Sequence, residues 1–292
     1  MQSLDYRQVK QAISSAEMRI KLKKHSYVLL SVLFWGCSGF LADRLNQVFT
    51  PALQIFVRFL ISGILLILPV KKNREPFRLR YIITGGLGVF GYYILMIYAL
   101  AMSSVSFVAL MEGSLPVLAV IFDRVIIKQR CHGMQAAAAL VSLIGIFLYS
   151  FDADIHGSVT AAFLMAAANL SWLTYCFLKK KWSAKEDIQI LGYEFAAAAL
   201  LTLPLGFTFD VIGEITLLHI MELAGLVLFA TIIPYWLYLK GSKELSLKTA
   251  SMYLNLLPVA SLLPVIMIAG FQLTAVQVAG IAVLIISAVI GR

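Results

Sequence analysis

Residues 114–119 read SLPVLA, and residues 256–261, 142 positions later, read LLPVAS. At this offset the whole stretch 93–144 aligns with 235–286 without a gap. The two copies share residues that chance matching of apolar letters does not readily supply: Tyr93 with Tyr235, Gln135 with Gln277, and, at slightly shorter offsets, Trp35 with Trp172 and Phe59 with Phe195. The sequence therefore predicts an internal duplication, and this duplication decides the fold.

The composition indicates a lipid bilayer as the surroundings of this chain. Of its 292 residues, 61% are hydrophobic and 13% are charged, and the mean hydropathy is +0.89. Soluble domains are about 45–50% apolar and about a quarter charged. A membrane-crossing helix needs about 20 mostly apolar residues, so ten of them would use roughly 200 positions. Little of the chain is then left for a soluble catalytic domain.

Apolar stretches of this kind recur along the chain, and we predict ten spans: 27–42, 52–70, 81–101, 105–122, 134–150, 158–178, 189–207, 221–239, 249–269 and 275–290. Five spans in each copy place the start of the second copy on the opposite side of the membrane, which makes the repeats inverted. The predicted fold class is an all-α membrane protein with ten transmembrane helices in two inverted five-helix repeats. The expected boundaries are a basic tail at 1–26, a first repeat at 27–151 and a second repeat at 157–291.

The basic residues predict the orientation. With the amino end inside, nearly all of the 24 lysines and arginines fall in the tail or in cytoplasmic loops, as membrane proteins prefer. Arg44 is left in an outer loop and Arg58 within a span. We therefore expect a multi-pass protein of a bacterial-type inner membrane with both termini in the cytoplasm. This distribution also explains the formal charge of +9 without nucleic acid as a partner.

Several short motifs, in order along 27–291, resemble the drug/metabolite transporter superfamily in its ten-helix EamA type. They are Trp35-Gly36, Arg58-Phe59, Tyr98-Ala99-Leu100, Pro116-Val117, Gln135, Gly145, Trp172, Leu257-Pro258-Val259 and Leu273-Thr274-x-x-Gln277-x-x-Gly280. The family's usual acidic residue after the fourth span is replaced here by Lys128-Gln129-Arg130, so no role is carried over to that position. The resemblance implies an inner-membrane carrier that exports amino acids, drugs or other metabolites.

Ionisable side chains within spans are costly and are functional candidates by default. Arg58 and Glu112 are expected at a similar depth, where they could form a buried ion pair. That pair would be a static brace between two spans, an outer gate, or a clamp for the carboxylate and the amine of a substrate. Glu194 has no basic residue at its expected depth, which suits a group that binds and releases a proton. The alternative is a structural glutamate that is hydrogen-bonded by Tyr253 or Asn255.

Aromatic side chains cluster on the spans that the resemblance places around a cavity, where rings can stack on a planar solute or hold a cation. The predicted substrate-binding set is Trp35, Arg58, Tyr92, Tyr98, Glu112, Trp172, Tyr235, Tyr253 and Asn255. Pro116 and Pro258 leave backbone carbonyls without their usual partners, so each is either a hinge or a simple bend.

The sequence thus predicts a secondary transporter that moves a small amphipathic metabolite, an amino acid or related compound, by alternating access and in the export direction. Its partners would be the substrate, the bilayer and, if transport is coupled, protons; no cofactor or metal is expected, and the oligomeric state stays open. The alternative is a flippase for a lipid-linked sugar or a phospholipid. Gly86–Gly91 spells G-x-G-x-x-G, but it lies within an apolar span, so nucleotide binding is not expected.

Overall fold

The computed structural model describes residues 24–36, 38, 40–42, 44–69, 76–129, 133–151, 156–182, 188–243, 245–261, 267 and 273–291. The predicted tail at 1–26 lies outside this part except for its last three residues. The described part is almost entirely helical and contains no strand. Two isolated β-bridges, Phe49 with Val211 and Ser103 with Gly157, join loops.

Helices occupy every predicted apolar segment. In chain order they are α1 (Lys24–Ala42), α2 (Pro51–Ile67), α3 (Leu79–Leu100), α4 (Val105–Glu112), α5 (Leu115–Phe122), α6 (Gly133–Tyr149), α7 (Val159–Trp182), α8 (Ile188–Thr202, continued as a 3-10 turn over Leu203–Thr208), α9 (Leu217–Ser242), α10 (Leu247–Leu254), α11 (described over 257–261) and α12 (Ala275–Ile290). Five of them, namely α1, α3, α7, α8 with its 3-10 turn, and α9, are long and apolar enough to cross a membrane. The others are shorter; 17 residues span only about 25 Å at 1.5 Å per residue. Ten membrane crossings therefore stay a prediction.

The fourth and ninth apolar segments are broken helices. A turn at residues 113–114 separates α4 from α5, and a turn at residues 255–256 separates α10 from α11, again 142 positions apart. Pro116 and Pro258 stand in the first turn of the helices that follow. Proline is favourable there because the first N–H groups of a helix have no partner within it. The expectation that these prolines bend continuous helices is wrong, while a hinge at the breaks stays a prediction.

Corresponding helices of the two copies pack closely against one another. The most extensive contacts join α2 to α8 and α6 to α12. A Cβ atom built on Gly63 would lie 2.9 Å from the backbone nitrogen of Ala196, and one on Gly280 would lie 2.5 Å from that of Tyr149. Glycine thus allows two backbones to meet, as is common between helices in membranes.

Equivalent aromatic residues of the two copies also meet at the centre. The rings of Trp35 and Trp172 are 5.7 Å apart and edge-on, and those of Phe59 and Phe195 are 5.7 Å apart and stacked. The two halves therefore share one core and are not independently packed bundles.

The glycine-rich stretch Gly86–Gly91 is a π-helical segment inside α3. A Cβ atom on Gly88 would come within 2.1 Å of the Tyr175 ring. These glycines permit close helix packing, as the sequence indicated, and they lack the preceding strand that a dinucleotide-binding motif needs.

The contact between α6 and α12 makes a prediction about stability. We expect Gly280→Ala to destabilise the protein by about 1–3 kcal/mol, because the new methyl group meets backbone atoms that cannot rotate away. The matched control is Gly133→Ala at the start of α6, where nothing lies within 4 Å of the added carbon. Thermal unfolding of both variants in detergent checks this, and equal midpoints would contradict it.

Candidate functional site

A cavity of about 380 Å³ lies between helices of both halves. Its wall includes six of the nine predicted substrate-binding residues: Trp35, Arg58, Tyr92, Glu112, Trp172 and Tyr235. Pro258 also borders it, beside Leu254 and Leu257 at the break in the ninth segment. The broken helix and the ionisable residues therefore meet at one place.

Arg58 of α2 is a buried cation with only neutral partners. Its Nε donates to the Thr231 hydroxyl, and its Nη2 donates to the Ala230 carbonyl at 2.7 Å. The guanidinium carbon also lies 5.3 Å from the centre of the Phe59 ring and 5.2 Å from that of Tyr93. Within the described part of the chain no carboxylate comes within ion-pair distance of Arg58, so its charge is not neutralised by another side chain.

Glu112, at the end of α4, accepts a hydrogen bond from the Tyr92 hydroxyl. No lysine or arginine among the described residues contacts it. The predicted ion pair between Arg58 and Glu112 is therefore wrong. A π-helical segment in α9, Leu228–Ile232, presents Thr231 and a backbone carbonyl to the guanidinium instead.

Asn169 of α7 is a cavity residue that the sequence reasoning missed. Its amide nitrogen donates to the Met111 carbonyl at 3.0 Å and lies 3.4 Å from the Ser114 hydroxyl. The chain turns after Glu112, and at this turn the Met111 carbonyl also accepts from the N–H and the hydroxyl of Ser114. Asn169 therefore fixes the backbone beside Glu112. A lone asparagine in the apolar run 159–178 was the available signal.

Aromatic rings close one side of the cavity. Trp35 stands at 87° to Tyr235, with 5.3 Å between ring centres, and Trp172 stands at 78° to the same ring at 5.8 Å. The indole N–H groups of Trp35 and Trp172 are buried and have no hydrogen-bond acceptor in the described structure. Edge-to-face packing of this kind favours a rigid apolar surface.

Three predicted substrate-binding residues are not on the cavity wall. Tyr98 is 47% exposed and borders a separate apolar groove. The Tyr253 hydroxyl lies 2.8 Å from Nδ1 of His25. Asn255 is buried, and neither polar atom of its amide has a partner in the described structure. The structure therefore removes the geometric basis for placing these three residues at the substrate.

Glu194 of α8 contacts a cation, contrary to the expectation from the sequence. Its Oε1 lies 3.0 Å from Lys179 Nζ and accepts from the Thr84 hydroxyl at 2.6 Å, while Oε2 accepts from the Tyr175 hydroxyl at 3.2 Å. Helix α7 continues to Trp182 beyond the predicted span, so Lys179 belongs to the helix and not to a loop. Tyr253 and Asn255 are not its partners.

Comparison with known proteins identifies the chain's relatives. The sequence profile of the EamA-like transporter family matches residues 22–151 and again residues 159–291. The chain belongs to the EamA-like transporter family. The "uncharacterized transporter YyaM" of Bacillus subtilis is 24% identical, with 91% of this chain and 93% of that protein covered. An "uncharacterized transporter" of Clostridium kluyveri is 25% identical, with 92% of both covered.

Two further similarities support the same assignment. The "uncharacterized inner membrane transporter YicL" of Salmonella typhimurium is 24% identical over 85% of this chain and 87% of that protein. A solved crystal structure of a chain 18% identical superposes with a TM-score of 0.79, covering 92% of this chain and 96% of that one; it shows the fold alone. This EamA chain is therefore a multi-pass membrane transporter with two repeats.

The two EamA repeats are also joined by a buried ion pair. Lys248 Nζ, at the start of α10, lies 3.4 Å from Asp123 Oδ2, just after α5, and both side chains are almost completely buried. Lys180 Nζ donates to the Leu245 carbonyl close by. The charge count assigned Lys179, Lys180 and Lys248 to loops, but in the structure all three bind groups within the protein.

The ion pair between Asp123 and Lys248 makes a prediction. Lys248→Met should destabilise the EamA fold by about 3–5 kcal/mol, because a buried carboxylate then loses its cation. The double variant Asp123→Asn/Lys248→Met should recover most of this loss, since neither charge remains. Thermal unfolding of purified protein measures both. A double variant as unstable as the single one would refute the electrostatic explanation.

Proposed function

We propose that this protein is a secondary carrier that moves a small zwitterionic metabolite, an amino acid or a close relative, by alternating access. Membership of the family supports transport across a membrane. The substrate class rests on one observation: the cavity holds a buried cation, Arg58, and a carboxylate, Glu112, that do not neutralise each other.

The energetics of buried charge favour a zwitterion. An ion without a counter-ion in a protein interior costs several kcal/mol. A ligand with a carboxylate and an ammonium group supplies both missing partners at once. The planar guanidinium of Arg58 suits the carboxylate, since its fork matches two oxygens, and Glu112 suits the ammonium group. Trp35, Tyr92 and Trp172 would contact the apolar part of the ligand.

The volume of the cavity is in keeping with a small solute. At about 380 Å³ it lies near the lower end of the range for ligand pockets, roughly 300–1,000 Å³. A second, apolar groove of about 270 Å³ runs past Tyr98 and is the feature that would favour the lipid flippase. Its lining contains no charged side chain for a headgroup, so the zwitterion is the better-supported substrate.

The transport cycle belongs to the same proposal. It includes ten membrane crossings in two inverted repeats, both termini in the cytoplasm, hinge motion at Pro116 and Pro258, and export from the cell. Proton coupling at Glu194 has less support than the sequence suggested, because that argument needed a carboxylate without a cation and Glu194 is paired with Lys179. Inverted repeats of this kind alternate by exchanging the arrangements of their two halves.

Transport by purified protein in liposomes tests the substrate class. We expect uptake of one or more amino acids, and no uptake of the matching amines or carboxylic acids that lack one charge. Arg58→Gln and Glu112→Gln should each reduce transport roughly 30-fold or more, because one substrate charge then loses its buried partner. Tyr98→Phe, outside the cavity, is the control and should retain activity. Equal uptake of an amine and its amino acid would refute the zwitterion.

The orientation has its own test. Epitope tags at the two ends should both be reached from the cytoplasmic face, because an even number of crossings returns the chain to its starting side. Protease accessibility in intact and in permeabilised cells distinguishes the two faces. Tags on opposite faces would contradict the five-plus-five arrangement.

A further inference from the structure

The duplication equates Arg58 with Glu194, each of which lies on the second predicted span of its half. Both side chains reach across to a threonine on the third predicted span of the other half. Arg58 of α2 donates to Thr231 of α9, and Glu194 of α8 accepts from Thr84 of α3. The two polar clusters therefore carry opposite charges at the equivalent position of the second span. Their threonines are not equivalent, because carrying the 142-residue offset back from Tyr93 pairs Thr84 with Leu226.

The two counterparts differ in their access to space. Arg58 borders the cavity, whereas Glu194 and Tyr175 are completely buried and are not on its wall. The two threonines are both buried, Thr84 at 2% and Thr231 at 0% exposed, so the difference lies in the charged residues. The rings of Trp172 and Tyr175, 5.4 Å apart, belong to the aromatic packing around the buried cluster. The second cluster is sealed in the arrangement that the structure shows.

The sealed cluster contains the groups that a zwitterion needs. Lys179 supplies a cation, Glu194 a carboxylate, and Thr84 and Tyr175 supply hydroxyl groups. While the cluster is closed, Lys179 and Glu194 compensate each other, which limits the cost of burying two charges. A zwitterionic ligand between the two side chains would replace their ion pair with two new ones, between its carboxylate and Lys179 and between its ammonium group and Glu194.

We propose that Thr84, Tyr175, Lys179 and Glu194 form a second binding site for the zwitterionic substrate, used when the carrier opens to the opposite face. This inference rests on the proposed function. Exchange of the two arrangements would bring Glu194 to the cavity wall and seal Arg58. Glu194 then binds the ammonium group, and Lys179 binds the carboxylate.

The threonine of each cluster provides the test. Cys37, Cys131 and Cys176 are replaced with alanine, and Thr84→Cys and Thr231→Cys are introduced separately. A membrane-impermeant maleimide is then applied to either face of reconstituted vesicles. We expect the Thr231→Cys variant to react from one face and the Thr84→Cys variant from the opposite face. The amino acid found to be transported should slow both reactions, about 10-fold at saturation. Adding Glu194→Gln should remove this protection from the Thr84→Cys variant alone.

A second measurement avoids the cysteine at position 84. Initial transport rates are recorded with substrate added from each face in turn. The Thr231→Cys experiment defines one face of the vesicle as the side from which that cysteine reacts. For substrate added from the other face, the Glu194→Gln/Lys179→Gln variant should have a half-saturating concentration about 10-fold higher than the unmodified protein. For substrate added from the face at which the Thr231→Cys variant reacts, the half-saturating concentration should change less than twofold.

The outcomes separate this inference from the proposed function. Suppose that substrate protects the Thr231→Cys variant. If the Thr84→Cys variant then reacts from neither face, reacts from the same face, or reacts without protection, the proposal of a second binding site is wrong, while the proposal of zwitterion transport stands. Equal changes in half-saturation from both faces would also refute the second site. If no amino acid protects either cysteine, the proposed function itself fails.

Discussion

The guanidinium of Arg58 lies in a ring-lined cavity and is held only by neutral oxygen atoms. Most features of the site follow from the lack of a carboxylate partner for Arg58 among the residues that the structure describes. The π-helical segment of α9 supplies a hydroxyl and a carbonyl, while Glu112, the carboxylate on the same cavity wall, is bound by Tyr92. Neutral acceptors hold the side chain in position without cancelling its charge. The full electrostatic attraction thus remains available to an anionic group of a ligand.

The duplication lets one short chain build both the rigid and the irregular parts of this site. Glycine contacts between α2 and α8, and between α6 and α12, bring the backbones of corresponding helices together. The repeated break in the fourth and ninth segments does the opposite, because it interrupts a helix at the cavity. At the first break the Met111 carbonyl accepts hydrogen bonds from Ser114 and from the Asn169 amide. Irregular backbone is tolerated inside a membrane protein where it is buried in protein or lines a cavity.

The sequence predicted the helical architecture and six residues of the cavity wall, because hydropathy, repeat offset and residue type record depth and order along the chain. They do not record the direction in which a side chain points when a helix is apolar on every side. For this reason Arg58 and Glu112, although correctly placed on one cavity, were wrongly paired, and Tyr98 and Tyr253 were assigned to it. The contact of Lys179 with Glu194 was not predicted, because the charge count places every lysine at the end of a span in a loop. The long aliphatic stem of lysine lets its ammonium group reach back along the helix.

The opposite charges of Arg58 and Glu194 bear on how such a carrier can release its substrate. If both halves had a cation at the equivalent position, the carboxylate of a zwitterion would be attracted equally in both arrangements of the carrier. Only its apolar contacts would then differ between the two arrangements. With a cation on one side and a carboxylate paired to Lys179 on the other, the substrate must displace an existing ion pair to occupy the second cluster. Under the proposed two-site cycle, binding at the second cluster is therefore weaker than at Arg58, which has no ion pair to give up. Unequal affinities of this sign change the substrate concentration at which each face is half-saturated. The direction of net movement, including the proposed export, is set by the gradients across the membrane.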